Sequence, residues 1–352
     1  MPEGLLISID AMGGDHAPEI VLDGVDIAAK RHPGVRFVLH GPKDRIAGLL
    51  VSRPAAQAVC EIADTDIVVA MDMKPSQALR QGKGSSMWNA VDAVREGRAH
   101  AAVSAGNTGA LMAISKLRLR MVEGVHRPAM VGSWPTPKGF SVILDVGANV
   151  EADAEQLVEF AIMGEAFHRA VYGSSRPSVR LLNIGSEEMK GHDEIKEAAR
   201  LVRAAGVDLN FEGFVEGDGI SAGQADVIVT DGFTGNIAIK TGEGAAKLVG
   251  GFLRESLKGS LLGKLGALIA MPALKKFKAK MDPRTVNGGV FLGLNGTVVK
   301  SHGGTDGLGF AAAVDVAIRM ARSHFREEIL RNLERLAAAA PPAPVVAEQG
   351  RT

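Results

Sequence analysis

Six short stretches of the sequence join glycine to residues that bind anions or move protons: IDAMGGDHAPE, SAGNTGA, LDVGANVE, NIGSEEMKG, TDGFTGN and KSHGGTDG. Each ends an apolar run, so each is expected in a turn between a strand and a helix. Backbone N–H groups at such a helix start have no partner of their own, and with Ser, Thr and Asn beside them they suit an oxyanion such as phosphate. One glycine turn is ordinary in an α/β protein; six on one predicted sheet edge point to a shared anion site. Lys190, Lys240 and Lys300 lie close in sequence to three of the turns and supply cations. His16, His192 and His302 each have an acidic neighbour, Asp15, Asp193 and Asp306, an arrangement suited to acid–base work.

Other chemistries are disfavoured by what is missing. No G-x-S-x-G elbow, P-loop or H-E-x-x-H pair occurs, which argues against serine hydrolases, P-loop NTPases and zincins. GLGFAA at 307–312 matches a dinucleotide-binding spacing, but no strand carrying an acidic ribose partner follows, so it reads as helix packing. No cluster has metal-ligand spacing, and no metal or cofactor is expected. Asp226 and Asp231 alone do not make the metal set of a decarboxylating dehydrogenase.

The elements that must position these turns follow from the apolar pattern. LLISID, VRFVLHG, AAVSAG, SVILDVG, VRLLNIG, DVIVTDG and TVVKSHG read as strands, several followed by amphipathic helices such as AEQLVEFAIMGEAFHRAV. That alternation predicts an α/β fold with a mostly parallel sheet and helices on both faces, whose ligands sit beyond the carboxyl ends of the strands. The chain has 352 residues, 46% of them hydrophobic, enough for a large core in a single domain over 1–336. Forty basic side chains balance forty acidic ones, so no nucleic-acid partner is expected. The lone Cys60, in the strand-like AVCEIAD, excludes an internal disulfide and reads as a plain buried thiol. Neither a targeting segment nor a run near the roughly 20 apolar residues of a membrane span is evident, which predicts a cytoplasmic protein. The segment 73–97 is expected to be a loop and then a helix opened by Ser85 or Ser86, either a lid or a surface excursion. The Ala/Pro-rich tail 337–352 is expected to be disordered.

Taken as whole strings, ISIDAMGGDHAPE, SAGNTGA, LDVGAN, NIGSEEMKG, VIVTDGFTGNIAIKTGEG and FLGLNGTVVKSHGGTD, in this order, closely resemble the bacterial phosphate acyltransferases of phospholipid synthesis, the PlsX type. The resemblance runs from about residue 5 to about residue 325. It implies a fold similar to the isocitrate/isopropylmalate dehydrogenase and phosphotransacetylase group, usually as a homodimer. It also implies that inorganic phosphate attacks a fatty acyl thioester on acyl carrier protein, with the acyl phosphate passed to a membrane acyl-phosphate:glycerol-3-phosphate acyltransferase. Phosphate is itself a nucleophile, so no acyl-enzyme is needed; the protein must hold an anion against a carbonyl and stabilise the developing oxyanion. On this reading Asp15, Asn107, Thr108, Asn183, Ser186, Thr234, Asn236 and Ser301 hold phosphate or the thioester. Lys190 and Lys240 offset negative charge, and His16 or His302 protonates the leaving thiolate. Rival readings are a short-chain phosphotransacetylase using coenzyme A, a nicotinamide-dependent dehydrogenase, and a non-catalytic scaffold for carrier protein.

One stretch departs from this pattern. In SLLGKLGALIAMPALKKFKAKM, residues 260–281, Leu261, Leu262, Leu265, Leu268 and Ile269 fall on one helix face. Pro272 then breaks the helix, and Leu274, Phe277 and Met281 form a second stripe flanked by Lys275, Lys276, Lys278 and Lys280. Leucines beside lysines suit the plane of anionic inner-leaflet lipid, so a helical hairpin at about 250–285 is expected to attach the protein peripherally to the cell membrane's inner face. The alternative is that the leucines pack on the enzyme body or a dimer mate.

Overall fold

The apolar runs assemble into a single sheet of eleven strands in the computed structural model, which describes residues 4–204, 206–280 and 282–339. In chain order the strands are β1 (Leu6–Asp10), β2 (Arg36–Gly41), β3 (Cys60–Asp64), β4 (Ala101–Ser104), β5 (Ala129–Thr136) and β6 (Gly139–Leu144). β7 (Ser178–Leu182), β8 (Asn210–Val215), β9 (Val227–Val229), β10 (Gly289–Leu292) and β11 (Thr297–Lys300) complete it. Their spatial order is β3-β2-β1-β4-β11-β10-β5-β6-β9-β7-β8. Both wings are parallel, and the middle carries three antiparallel pairings, β11 with β10, β10 with β5, and β5 with β6.

Every strand read from the sequence is present, Cys60 opening β3 included. β5, β8 and β10 were not anticipated, for local reasons. β5 contains Gly132 and Pro135, β10 is only four residues long, and β8 carries Gly213 at φ +86° beside a register shift in its pairing with β7.

Alternate residues of one strand enter different cores, which places helices on both faces. Val103 and Val299 join Val25, Phe160 and Val314 of the helices Glu19–Arg31, Ala154–Tyr172 and Gly307–Arg322. Their neighbours Ala102 and Val298 point the other way, onto Trp88 and Ile114 of the helices Ser86–Arg95 and Thr108–Leu119. The 73–97 segment is therefore packed structure, and its expected loop holds a short helix of its own, Pro75–Gln81: Ser85 caps the helix Ser86–Arg95 by accepting from Trp88 N at 3.2 Å, and Ala78, Met87, Trp88 and Val91 are core. GLGFAA serves helix packing, as expected. Gly24 and Gly307 let two helices touch; a Cβ on Gly24 would lie 2.7 Å from the Phe310 Cβ.

After β9 a 27-residue helix, Gly232–Lys258, runs about 40 Å at 1.5 Å per residue. Two shorter helices follow, Leu261–Ile269 and Met271–Lys280, with Pro272 in the first turn of the second, where its missing N–H costs nothing. The helix Phe325–Ala339 reaches three residues into the Ala/Pro segment, and 340–352 lie outside the described residues.

Candidate active site

β4 pairs in parallel with β1 on one side and β11 on the other, so Asp10, Ser104 and Lys300 end three neighbouring strands at one edge. All three are buried. Asp10 accepts from Ser104 Oγ at 2.6 Å and from Met12 N at 3.3 Å. Lys300 Nζ donates to the backbone carbonyls of Ala105, at 3.4 Å, and Ser301. Burial pushes the Asp10 carboxyl above the usual range, against the pull of the Ser104 and Ser86 hydroxyls. Burial also drives the Lys300 ammonium down to about 8, although Asp10 and Asp15 favour its charge. A charge-neutralising lysine at this edge is thus poised near neutral pH. Chemistry that needs Lys300 protonated is expected to decline as pH rises through about 8, which a pH–rate profile at saturating substrate checks.

The turns around this edge are held by their own polar groups. Asn287 Nδ2 donates to Ser301 Oγ at 2.9 Å and its Oδ1 accepts from His302 N at 3.0 Å, fixing the path out of β11. Asp15 N donates to Gly303 O at 3.0 Å, which brings the β1 and β11 turns together. His16 lies exposed in the first of these. His302 faces Lys240, Glu243 and Lys247 of the long helix; partial burial, then the cations Lys240, Lys300 and Lys247, hold its imidazole below the usual value. The helix that starts at β9 thus carries Lys240 back to β11, across four strand spacings of about 4.8 Å.

A second set of turns is built on Asp145, at the end of β6. Its buried carboxylate accepts from the backbone N–H groups of Met130, Gly147, Ala148 and Asn149, at 2.9, 3.2, 3.0 and 2.7 Å, and from Asn149 Nδ2 at 3.0 Å. Burial raises its pKa against those donors. The root of the long helix rests on this turn: a Cβ at Gly235 would lie 1.9 Å from Asp145 O, and Asn236 Nδ2 donates to Val146 O at 3.1 Å.

The sequence-derived residues therefore divide. Asp15, His16, Thr108, Lys240, Ser301 and His302 gather around the β1–β4–β11 edge. Asn107 belongs there by position, but its Oδ1 caps its helix through Ala110 N and its Nδ2 donates to Met71 O and Met73 O, so its side chain is a brace for the 71–73 loop. Thr234 is likewise engaged, donating from Oγ1 to its own N-cap Asp231 at 2.7 Å. Asn183 ties its turn together, from Nδ2 to Lys190 O at 3.0 Å, and Lys190 pairs with Glu187 at 2.9 Å. That turn and its exposed Ser186 leave from β7, five pairings or about 24 Å from β11, so Lys190 and Ser186 are not brought to Lys300. Asp10, Ser104, Asp145, Asn149 and Asn287 were missed as site residues. An aspartate closing an apolar run, as in LISID and VILD, was the available signal, since a buried carboxylate needs donors or a cation nearby. Among the described residues no group of His, Cys, Asp and Glu could hold a metal ion. Cys60 lies away from this edge, its thiol pushed up to about 12, chiefly by burial.

A buried lysine, helix N-termini and a histidine near cations form an edge able to hold a multivalent anion beside an electrophile. Residues 5–328 match the family model described as fatty acid synthesis protein. The phosphate acyltransferase of Caulobacter vibrioides is 58% identical over 340 residues, covering 97% of this chain and 94% of that protein. The phosphate acyltransferase of Maricaulis maris is 56% identical, covering 94% and 95%. Among solved structures, the EutD phosphotransacetylase from Staphylococcus aureus superposes with a TM-score of 0.61 at 16% identity, over 90% of this chain and 94% of that one. The 4-hydroxythreonine-4-phosphate dehydrogenase from Klebsiella pneumoniae gives 0.55 at 14%, over 90% and 99%. At these identities the structural likeness speaks for the fold alone.

Proposed function

Since the chain belongs to the fatty acid synthesis protein family of phosphate acyltransferases, we propose that it transfers a long-chain fatty acyl group from acyl carrier protein to inorganic phosphate. A phosphate oxygen attacks the thioester carbonyl carbon, the C–O bond forms, the C–S bond breaks, and the carrier leaves as a thiolate that takes up one proton. The observation that carries this reading is the buried, cationic Lys300 at the joint end of β1, β4 and β11, facing a turn shared by Asp15 and His302. Lys300 and Lys240 stabilise the phosphate and the oxyanion. His302, its imidazole held below the usual value by partial burial and by the cations around it, is suited to accept a proton from the attacking phosphate, which leaves His16 as the candidate donor to the thiolate.

The test is to incubate the full chain with long-chain acyl carrier protein and phosphate and trap acyl phosphate with hydroxylamine. Phosphate-dependent acyl hydroxamate, with free carrier in equal amount, supports the reading. Carrier that stays bound without product replaces it with a non-catalytic scaffold, and turnover of short acyl-coenzyme A alone replaces it with a phosphotransacetylase.

The same reading includes attachment to anionic lipid, where a membrane acyltransferase would consume the product. No described helix is long and apolar enough to cross a membrane. Leu262, Leu268 and Ile269 are 82%, 65% and 76% exposed, Leu265 and Phe277 are exposed beside Lys275 and Lys276, and Leu274 is half-buried. The side chains of Leu261 and Lys278 lie outside the description. Exposed leucines lose water at a headgroup boundary, and each lysine adds about 1 kcal/mol near anionic lipid. Leu268→Glu is expected to abolish sedimentation with anionic liposomes and leave turnover in solution unchanged; unaltered sedimentation would refute the attachment. On the long helix Phe233, Ile237, Leu248 and Phe252 are exposed along one side, a stripe assigned to a second copy of the chain in a homodimer.

A further inference from the structure

The helices Ala154–Tyr172 and Gly307–Arg322 begin at the reaction edge, capped by Asp153 and Asp306, and end at the opposite edge of the sheet. Sixteen residues separate the two ends of the second helix, about 24 Å. There an open cleft of about 440 Å³ lies between the helix ends, lined by Arg169, Arg319 and Arg322 and by Ser174, Ser175 and Ser323, the last of which donates from Oγ to Met320 O at 2.8 Å. The start of the helix Phe325–Ala339 forms another part of its wall.

The charges in this cleft do not cancel. Arg169 is stretched between Glu165, at 3.6 Å, and Glu328, at 3.5 Å. Glu165 is 3% exposed, with an Oε2 that has no hydrogen-bond partner among the described residues. Burial pushes it up to about 7, which weakens its hold on Arg169. Among the described residues Arg319 donates only to Val171 O, at 3.2 Å, and no carboxylate pairs with Arg319 or Arg322. Three guanidinium groups thus face one carboxylate on the wall, Glu328.

We propose that this cleft is a second anion site, separate from the reaction edge, which binds a small organic phosphate ester. Guanidinium groups offer paired N–H donors that match phosphoryl oxygens, and serine hydroxyls with helix-start amides complete such a shell. Phe325 and Ala170 on the same wall give an organic group an apolar contact, and the volume is that of a small-metabolite site, larger than a bare phosphate fills. The site stands on its own charges and does not depend on the reaction assigned to the other edge.

Phenyl phosphate binding to the full chain, followed by calorimetry at near-physiological salt, is the test. Lys300→Met is expected to leave one phenyl phosphate site intact, and Arg322→Glu to weaken that site about tenfold or more, the loss of a charge-assisted contact and its replacement by repulsion. Arg322 is exposed and has no carboxylate partner among the described residues, so its variant should keep the thermal midpoint and the turnover of the parent; Arg322→Lys should retain most of the affinity. Inorganic phosphate should bind the same site about tenfold more weakly, lacking the apolar contact. An Arg322→Glu affinity equal to the parent's, or a Lys300→Met variant that binds no phenyl phosphate at all, overturns the proposal. Equal binding of inorganic and phenyl phosphate overturns its organic part.

Discussion

Lys300→Met is expected to lower phosphate-dependent turnover by about 100- to 1,000-fold, the scale of losing one group that stabilises an oxyanion. Methionine keeps the unbranched apolar stem of the side chain, one atom shorter, and removes the charge. The fold should tolerate this, because burial already biases Asp10 toward its neutral form and Ser104 stays bonded to it. A pH signature separates catalysis from structure. The folded state releases the Lys300 proton near 8, the unfolded chain near 10.5. Between those values the unfolded chain binds more protons, so stability from this group rises with pH, by up to about 3 kcal/mol. Below 8 both states hold the proton and the folded state bears the whole burial cost. Turnover should therefore fall above pH 8 while resistance to urea grows, and the variant should lose both trends. If the variant keeps normal turnover per folded molecule and loses only the stability trend, Lys300 is structural.

The parallel wings of the fold, β8 apart, were legible because their physics is local. β1, β4, β6, β7, β9 and β11 are apolar runs closed by glycine turns, and that alternation specifies parallel strands whatever else surrounds them. The antiparallel centre was not, since β5 and β10 are defined by each other: a Gly- and Pro-bearing run and a four-residue run become strands only when paired. The site divided in the same way. Glycine, histidine and lysine in turns announced an anion edge. Which polar side chains remain available there depends on contacts far apart in sequence. Asn107 looked free for phosphate, but Met71 and Met73 take its amide, 36 and 34 residues away. Asp10 and Ser104, 94 residues apart, read as ordinary strand ends until β1 and β4 are placed side by side. Lys190 had a motif like that of Lys240, and only the strand order shows that β7 ends far from β11 while the long helix returns from β9.

Asp145→Ala is expected to cost about 4 kcal/mol or more, since it strips the acceptor from five donors in a buried turn and each orphaned buried donor costs about 1–3 kcal/mol. Asp145→Asn should cost less. One amide oxygen can still serve Met130, Gly147 and Ala148, while the amino group is set against Asn149 N, a donor facing a donor. Urea denaturation should rank the parent above Asn and Asn above Ala. Turnover should fall as well, by a route that global stability does not explain. The first turn of the Gly232–Lys258 helix sits on this turn with no room for a side chain at Gly232 or Gly235. Loosening it lets the helix tilt, and over the twelve or so ångströms from its root to Lys240 a small tilt moves the ammonium out of reach of phosphate. The Asn variant, folded under assay conditions, should therefore show a raised KM for phosphate and an altered His302 titration, because Lys240 is one of the charges that hold His302 low. An Asn variant that is less stable but unchanged in both would mean that the long helix is anchored elsewhere and that Asp145 serves the core alone.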